Sequence, residues 1–291
     1  MTGVTKFAKV AIFSKLNNIT DITMDEDFSE MFGYTQEELL KNFGDRIDDA
    51  VRRGTCDIMG NTLSKDGLID EIKRWYDGFK FSEDGKNVYN PVSIGQFMDN
   101  YYKFKNYWFS TGTPTFLIDK LKESGFDAKQ LTTDDFYEEE ASLTDYRIDN
   151  EDPVPLFYQT GYLTIVDYDR RRMRYTLGYP NEEVKYGFMN SIAPYYLHAK
   201  DHDPESTGTD IFAIDDAVEE GDLDRLRDIL TALFARLPYG TDESYVERDF
   251  QNAIYIVFML LGKYVRTEIH SAKGRADCIV ETEWKVWRQS Q

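Results

Sequence analysis

Two β-rich runs near the C-terminus constrain this chain most. Val265-Arg266-Thr267-Glu268-Ile269 is followed, across a turn at Gly274, by Lys273-Gly274-Arg275-Ala276-Asp277-Cys278-Ile279-Val280-Glu281. Both stretches are rich in β-branched residues, and Gly274 supplies the break between them, so they read as paired strands. Asp277 is thereby carried into an apolar strand. Most of what precedes reads as helices with one clear hairpin, so the expected class is mixed α/β of the α+β kind.

A chain of 291 residues is long enough for two modest domains, each with its own core. Aromatics make up 15% of it, with 20 Tyr and 19 Phe, so the core should be built from large rings. The formal net charge is -19, a field that repels phosphate backbones and argues against nucleic-acid binding over the whole surface. The tail departs from that trend: Lys263 to Gln291 carries six Lys or Arg against four acids, leaving DNA a local C-terminal site only. Cys56 and Cys278 lie far apart in no metal-ligand spacing, which reads as a reduced pair. Met1-Thr2-Gly3-Val4-Thr5-Lys6 has no apolar leader, and no run approaches the roughly 18 apolar residues of a membrane span. The expected location is cytoplasmic, with no membrane contact.

Taken in order, 2–20 reads as a polar turn entering an amphipathic helix with Phe7, Val10, Ala11 and Ser14 at helical spacing. Asp25 starts a short helix for which Gly33 is the candidate C-cap. Thr35-Gln36-Glu37-Glu38 is a capping box, opening a helix whose buried stripe is Leu39, Leu40, Phe43 and Ile47. Ser64 caps a third helix, through Leu68, Ile69, Ile72 and Trp75. The Gly78 and Glu83–Lys86 turns, with Val88-Tyr89-Asn90-Pro91 returning, read as a small hairpin. A helix opens at Pro91 and runs through Phe97, Met98 and Tyr101. Tyr107 to Pro114 reads as an aromatic strand ending in a polar turn, and Thr115 to Lys122 as a helix.

Residues 123–155 are acidic and read as a solvated connector. Leu163–Tyr168 and Met173–Leu177 alternate around Asp169-Arg170-Arg171, a β-hairpin. Asn181 opens the next helix with Glu182 and Glu183 in its first turn. Residues 201–210 read as a linker, Ile211–Phe234 as helix, and Tyr245–Leu261 as a long amphipathic helix.

Several segments now fall into a recognisable order. They are Thr2-Gly3-Val4-Thr5-Lys6-Phe7 with Asn17-Asn18-Ile19-Thr20-Asp21-Ile22, then Tyr76-Asp77-Gly78-Phe79, Tyr89-Asn90-Pro91 and Ser110-Thr111-Gly112-Thr113-Pro114. Gln159-Thr160-Gly161-Tyr162-Leu163-Thr164 and Gly178-Tyr179-Pro180-Asn181-Glu182-Glu183-Val184 follow. This string resembles the AAA-ATPase-like proteins fused to a PD-(D/E)XK nuclease superfamily domain, over nearly the whole chain. The resemblance implies a remnant of a P-loop core and helical lid over 1–122, a middle hairpin and helix region over 123–203, and an incomplete PD-(D/E)XK-like domain over 204–291. Thr2 would stand near the position that senses the nucleotide γ-phosphate. The phosphate-binding loop would lie upstream, so the chain reads as the interior of a larger enzyme.

A P-loop wraps backbone N–H groups round phosphates and completes the site with Lys and a hydroxyl. Gly54 to Asn61 has two glycines one residue too far apart and no Lys-Ser/Thr after Gly60, so ATP binding and hydrolysis are not expected of these residues. The nuclease end needs carboxylates to hold magnesium and a Lys to activate water. The resemblance maps the first acid to Glu247, with Glu243 as runner-up, makes Glu268 an accessory acid, and makes Asp277 the magnesium ligand. Lys285 in Glu283-Trp284-Lys285 would be the lysine, but six residues leave little room for a turn and second strand after Asp277.

Other features read as structural. His198 and His202 stand at i and i+4 without the glutamate of a zinc-protease helix, and Pro204 ends that helix. Arg170-Arg171-Arg172-Met173-Arg174 is a basic hairpin tip on an anionic chain, better suited to neutralising nearby acids than to gripping phosphate. Three functional readings follow. The chain is a non-hydrolysing part of such an ATPase–nuclease, or a residual metal-dependent DNA nuclease working as a homo-oligomer, or a binding module that holds a protein partner on aromatic surfaces.

Overall fold

The computed structural model describes residues 22–58, 60–108, 115–124, 137–144, 152–197, 213–218, 220–235, 252–258, 264–271 and 274–281. It divides into two compact units, Met1–Phe188 and Met189–Gln291.

In the first unit, a short 3-10 turn (Glu26–Phe28) is capped by Asp25, which accepts from the Asp27 N–H at 3.0 Å. The Gln36–Arg52 helix, α1, begins with a reciprocal capping box. Glu38 N–H donates to Thr35 Oγ1 at 3.3 Å, and Thr35 N–H donates to Glu38 Oε2 at 2.9 Å. The Ser64 hydroxyl caps α2 (Lys65–Tyr76) and Asn90 caps α3 (Pro91–Asp99), where Pro91 occupies the first turn and lacks the N–H that would be orphaned there.

These caps set three amphipathic helices round one core. Leu39, Ile47 and Ala50 of α1 meet Leu68, Ile72, Trp75 and Tyr76 of α2, and Ile94, Phe97 and Met98 of α3. Rings fill the remaining space: Phe97 lies 4.9 Å from Phe104, Tyr76 5.7 Å from Phe97, and Trp75 stacks on Tyr186 at 6.0 Å. Burying each such side chain is worth about 1.5–3 kcal/mol.

Helix α4 (Thr115–Ser124) follows, then strand β1 (Tyr137–Glu139), helix α5 (Glu140–Thr144) and helix α6 (Val154–Gln159). Strands β2 (Thr164–Asp169) and β3 (Arg174–Gly178) form the expected hairpin, and β1 adds to the other side of β3, giving an antiparallel sheet in the order β1-β3-β2. Tyr168 and Tyr175 face each other across it at 4.5 Å. Helix α7 (Glu182–Leu197) crosses from the first unit into the second.

The second unit contains helix α8 at 213–218, helix α9 (Leu223–Phe234) and a helical segment at 252–258, with Ile214, Ala217, Leu233, Ile256 and Val257 buried. Strands β4 (Tyr264–Ser271) and β5 (Gly274–Glu281) pair antiparallel, as their sequences indicated. The architecture is therefore mixed α+β. No described helix is long and apolar enough to cross a membrane.

Several expectations need correction. Gly33 does not end a helix; a Cβ there would stand 2.4 Å from Val88 Cγ2, so its role is close packing beneath the Tyr34–Tyr89 bridge. Leu40 is 40% exposed, and Ala50 takes its place in the α1 stripe. The hairpin expected over 79–90 shrinks to single bridges, Phe79 with Val88 and Tyr34 with Tyr89. The α3 helix stops at Asp99, short of Tyr101. Tyr107 and Trp108 are not in a strand. The acidic connector contains β1 and α5, because Tyr137, Glu138 and Glu139 find hydrogen-bonding partners on β3. The expected Ile211–Phe234 helix breaks at Gly221 (φ 68), after which Asp222 caps α9. The helix proposed for 2–20, the linker at 201–210 and most of the helix proposed for 245–261 lie outside the described residues.

Candidate functional site

The motif residues, scattered over more than a hundred positions, meet at one buried junction in the first unit. Its centre is Glu183, wholly enclosed in the first turn of α7. The Ser93 hydroxyl donates to Glu183 Oε2 at 2.6 Å. The backbone N–H groups of Tyr107 and Trp108 donate to Oε1 at 2.7 and 2.9 Å. Burial pushes this carboxyl above its usual range, while the three donors pull it back. A carboxylate with both oxygens occupied and no path to solvent holds chain segments together; it has no reach to a substrate.

Two residues upstream, Asn181 serves both sides of the same junction. Its Oδ1 accepts from Val184 N–H at 3.0 Å, capping α7, and its Nδ2 donates to the Asp77 carbonyl at 2.7 Å. Asp77, at the end of α2, is only 4% exposed, and burial raises its carboxyl pKa, partly offset by the Gly78 N–H. Its Oδ1 has no hydrogen-bond partner among the described residues. Gly78 has φ +99, and a Cβ on it would lie 1.9 Å from the Pro180 carbonyl oxygen, so the α2 exit and the α7 entry touch backbone to backbone.

The remaining motifs close the ring. Thr164 Oγ1 accepts from Lys80 N–H at 2.7 Å and donates to the Lys80 carbonyl at 3.1 Å. Trp108 lies 5.1 Å from the Tyr162 ring and 6.4 Å from that of Phe79, over the open face of Gly161. The Tyr76 hydroxyl donates to the Lys105 carbonyl and accepts from the Lys105 N–H, each at 3.1 Å. Burial also raises the Tyr76 phenol.

Thr2, His198, His202, Glu243, Glu247 and Lys285 lie outside the described residues. Asp277 lies on β5 and Glu268 on β4. The pairs Thr267↔Cys278 and Ile269↔Ala276 bracket them, so the continuing register sets Glu268 and Asp277 opposite each other. Among the described residues no three or more His, Cys, Asp or Glu gather as a metal site. Gly54 to Asn61 folds as a tight turn, with Asn61 N–H on Asp57 Oδ1 at 2.8 Å and a bridge from Cys56 to Thr62.

The basic hairpin tip is neutralised. Arg170 binds both Asp84 oxygens at 2.5 and 2.6 Å, Arg172 binds Asp169 at 2.8 Å, and Arg174 stacks 3.8 Å from the Tyr137 ring centre. Sequence reasoning missed the role of Glu183, which it read as an acid complementing a helix dipole. The signal available was an acid pair just after a cap, one exposed position and one inward.

No protein-family model matches the chain, and no solved structure matches it. A curated protein of Azotobacter chroococcum mcd 1, described as "Uncharacterized protein in vnfD 5'region", is 31% identical over 286 residues. The match covers 96% of this chain and 50% of that protein, so the chain spans about half the length of the curated relative it matches.

Proposed function

We propose that these 291 residues are the lid, middle region and part of the nuclease-like domain of an AAA-ATPase-like protein of the PD-(D/E)XK superfamily. Its role is in ATP-linked nucleic-acid processing, and this stretch contributes no ATP hydrolysis. The observation that supports this reading is the convergence of the ordered motifs on Glu183, which gives each of them a structural task and leaves none as a phosphate cradle. The sequence contains no Gly-x-x-x-x-Gly-Lys-Ser/Thr that would wrap a triphosphate. Calorimetric titration of the purified chain with Mg-ATP is the test. The expected result is no saturable heat, and a micromolar dissociation constant refutes the reading.

A second reading, residual metal-dependent cleavage of DNA, is favoured by one observation, the register of Glu268 against Asp277. Like charges directly across a strand pair repel, and a bound magnesium ion would offset that. Plasmid nicking in magnesium or manganese, wild type against Asp277→Ala, decides it; equal background in both ends this reading.

A further inference from the structure

We propose that Tyr101, Lys103 and Lys105, with Arg46 beside them, form a contact site for single-stranded nucleic acid. The inference rests on the nucleic-acid class proposed above but uses none of its C-terminal residues.

The backbone is the first observation. Tyr101 and Tyr102 follow the end of α3 with φ of 57 and 58, two consecutive non-glycine residues in the left-handed region. Side chains rarely tolerate that conformation, and glycine normally fills the position just past a helix. Tyr102 has a local reason to be there. Its ring is buried between Arg46 and Arg53, at 6.0 and 5.9 Å, and its hydroxyl donates to Asp49 at 2.9 Å. Tyr101 has none: its ring is 75% exposed. Strain kept at an exposed aromatic points to a role outside the fold.

The second observation is charge. Beyond Tyr102, exposure alternates with burial, so Lys103 and Lys105 are exposed while Phe104 is packed on the core. Neither lysine makes an ion pair among the described residues. Arg46 adds a cation fixed by the Met98 carbonyl at 2.7 Å and by Asp99 at 3.1 Å, the one acid that faces it. An exposed ring followed by two unpaired cations matches what single strands require, a stacking face for a base and positive charge along the phosphates. The chain's net charge of -19 does not forbid this, because at about 0.1 M salt charges beyond about 10 Å are screened.

The test is fluorescence anisotropy of a labelled oligothymidylate of roughly 20 nucleotides with the full chain, at about 50 and about 200 mM salt. Wild type should bind saturably. Tyr101→Gly, which relieves the backbone while deleting the ring, should weaken binding roughly tenfold without lowering the melting temperature. Lys103→Gln with Lys105→Gln should flatten the salt dependence by about 1.4 in logarithmic slope. Absence of saturable binding by wild type overturns the proposal, as does binding indifferent to all three substitutions. If only Asp277→Ala abolishes binding, the contact lies in the hairpin; this proposal then falls and the broader nucleic-acid reading survives. Oligonucleotide binding lost through Tyr101→Gly in a chain that binds micromolar Mg-ATP supports this site while refuting the non-hydrolysing reading.

Discussion

Ser93 donates its hydroxyl proton to Glu183 across 2.6 Å, joining the first turn of α3 to the first turn of α7 through a carboxylate that solvent does not touch. Removing the carboxylate strands three donors at once. Glu183→Ala should therefore cost about 3–5 kcal/mol in chemical denaturation. Glu183→Gln keeps an acceptor for the Tyr107 and Trp108 N–H groups and should cost far less.

The same pair of variants carries a pH signature. Burial raises the folded-state pKa of Glu183 above its unfolded value. Its contribution to stability is then fully present below the unfolded pKa and is lost as pH rises through the folded one. Wild type should lose stability relative to Glu183→Gln as pH rises through that window, in urea titrations at a series of pH values. Buried phenols repeat the effect at alkaline pH. Tyr107 and Tyr175 are both pushed up to about 12, so stability should fall as pH climbs from about 10 toward 12.

Gly78 and Pro180 predict a second hot spot. A methyl at Gly78 would sit 1.9 Å from a carbonyl oxygen on a residue whose φ is already +99. Gly78→Ala should cost about 3 kcal/mol or more and lower the thermal midpoint accordingly. Gly44, with open space around its Cβ position, is the control: Gly44→Ala within α1 should stabilise by about 0.5–1 kcal/mol.

What the sequence disclosed was local. The Thr35–Glu38 box, the Ser64 cap and the Asn181 cap each need only three or four neighbouring residues, and all three are present. The β2–β3 hairpin was legible because its period-two alternation fixes register within a dozen residues. Pairings between distant segments were not. Nothing in Tyr137-Glu138-Glu139 announces a partner at Arg174–Thr176, and an acidic run on its own reads as solvated surface. Glu183 depends on Ser93 and Tyr107, 90 and 76 positions away. Leu40 misled because a helical stripe read from spacing alone does not say where the neighbouring helix ends its cover.

Tyr101 offers a stability prediction independent of any ligand. Glycine suits φ 57 and tyrosine does not, so Tyr101→Gly should raise stability by about 1 kcal/mol. For a unit of this size that is a rise of about 2–4 °C in melting temperature by calorimetry. Tyr102→Gly, losing a buried ring and the hydroxyl bond to Asp49, should go the other way.

The central claim is that the motif string builds a junction and not a nucleotide site. Titration of the full chain with Mg-ATP tests it most directly. The account predicts flat heats up to millimolar nucleotide. A saturable isotherm in the micromolar range, abolished by substitution within Tyr76–Phe79 or Gly178–Val184, would contradict it.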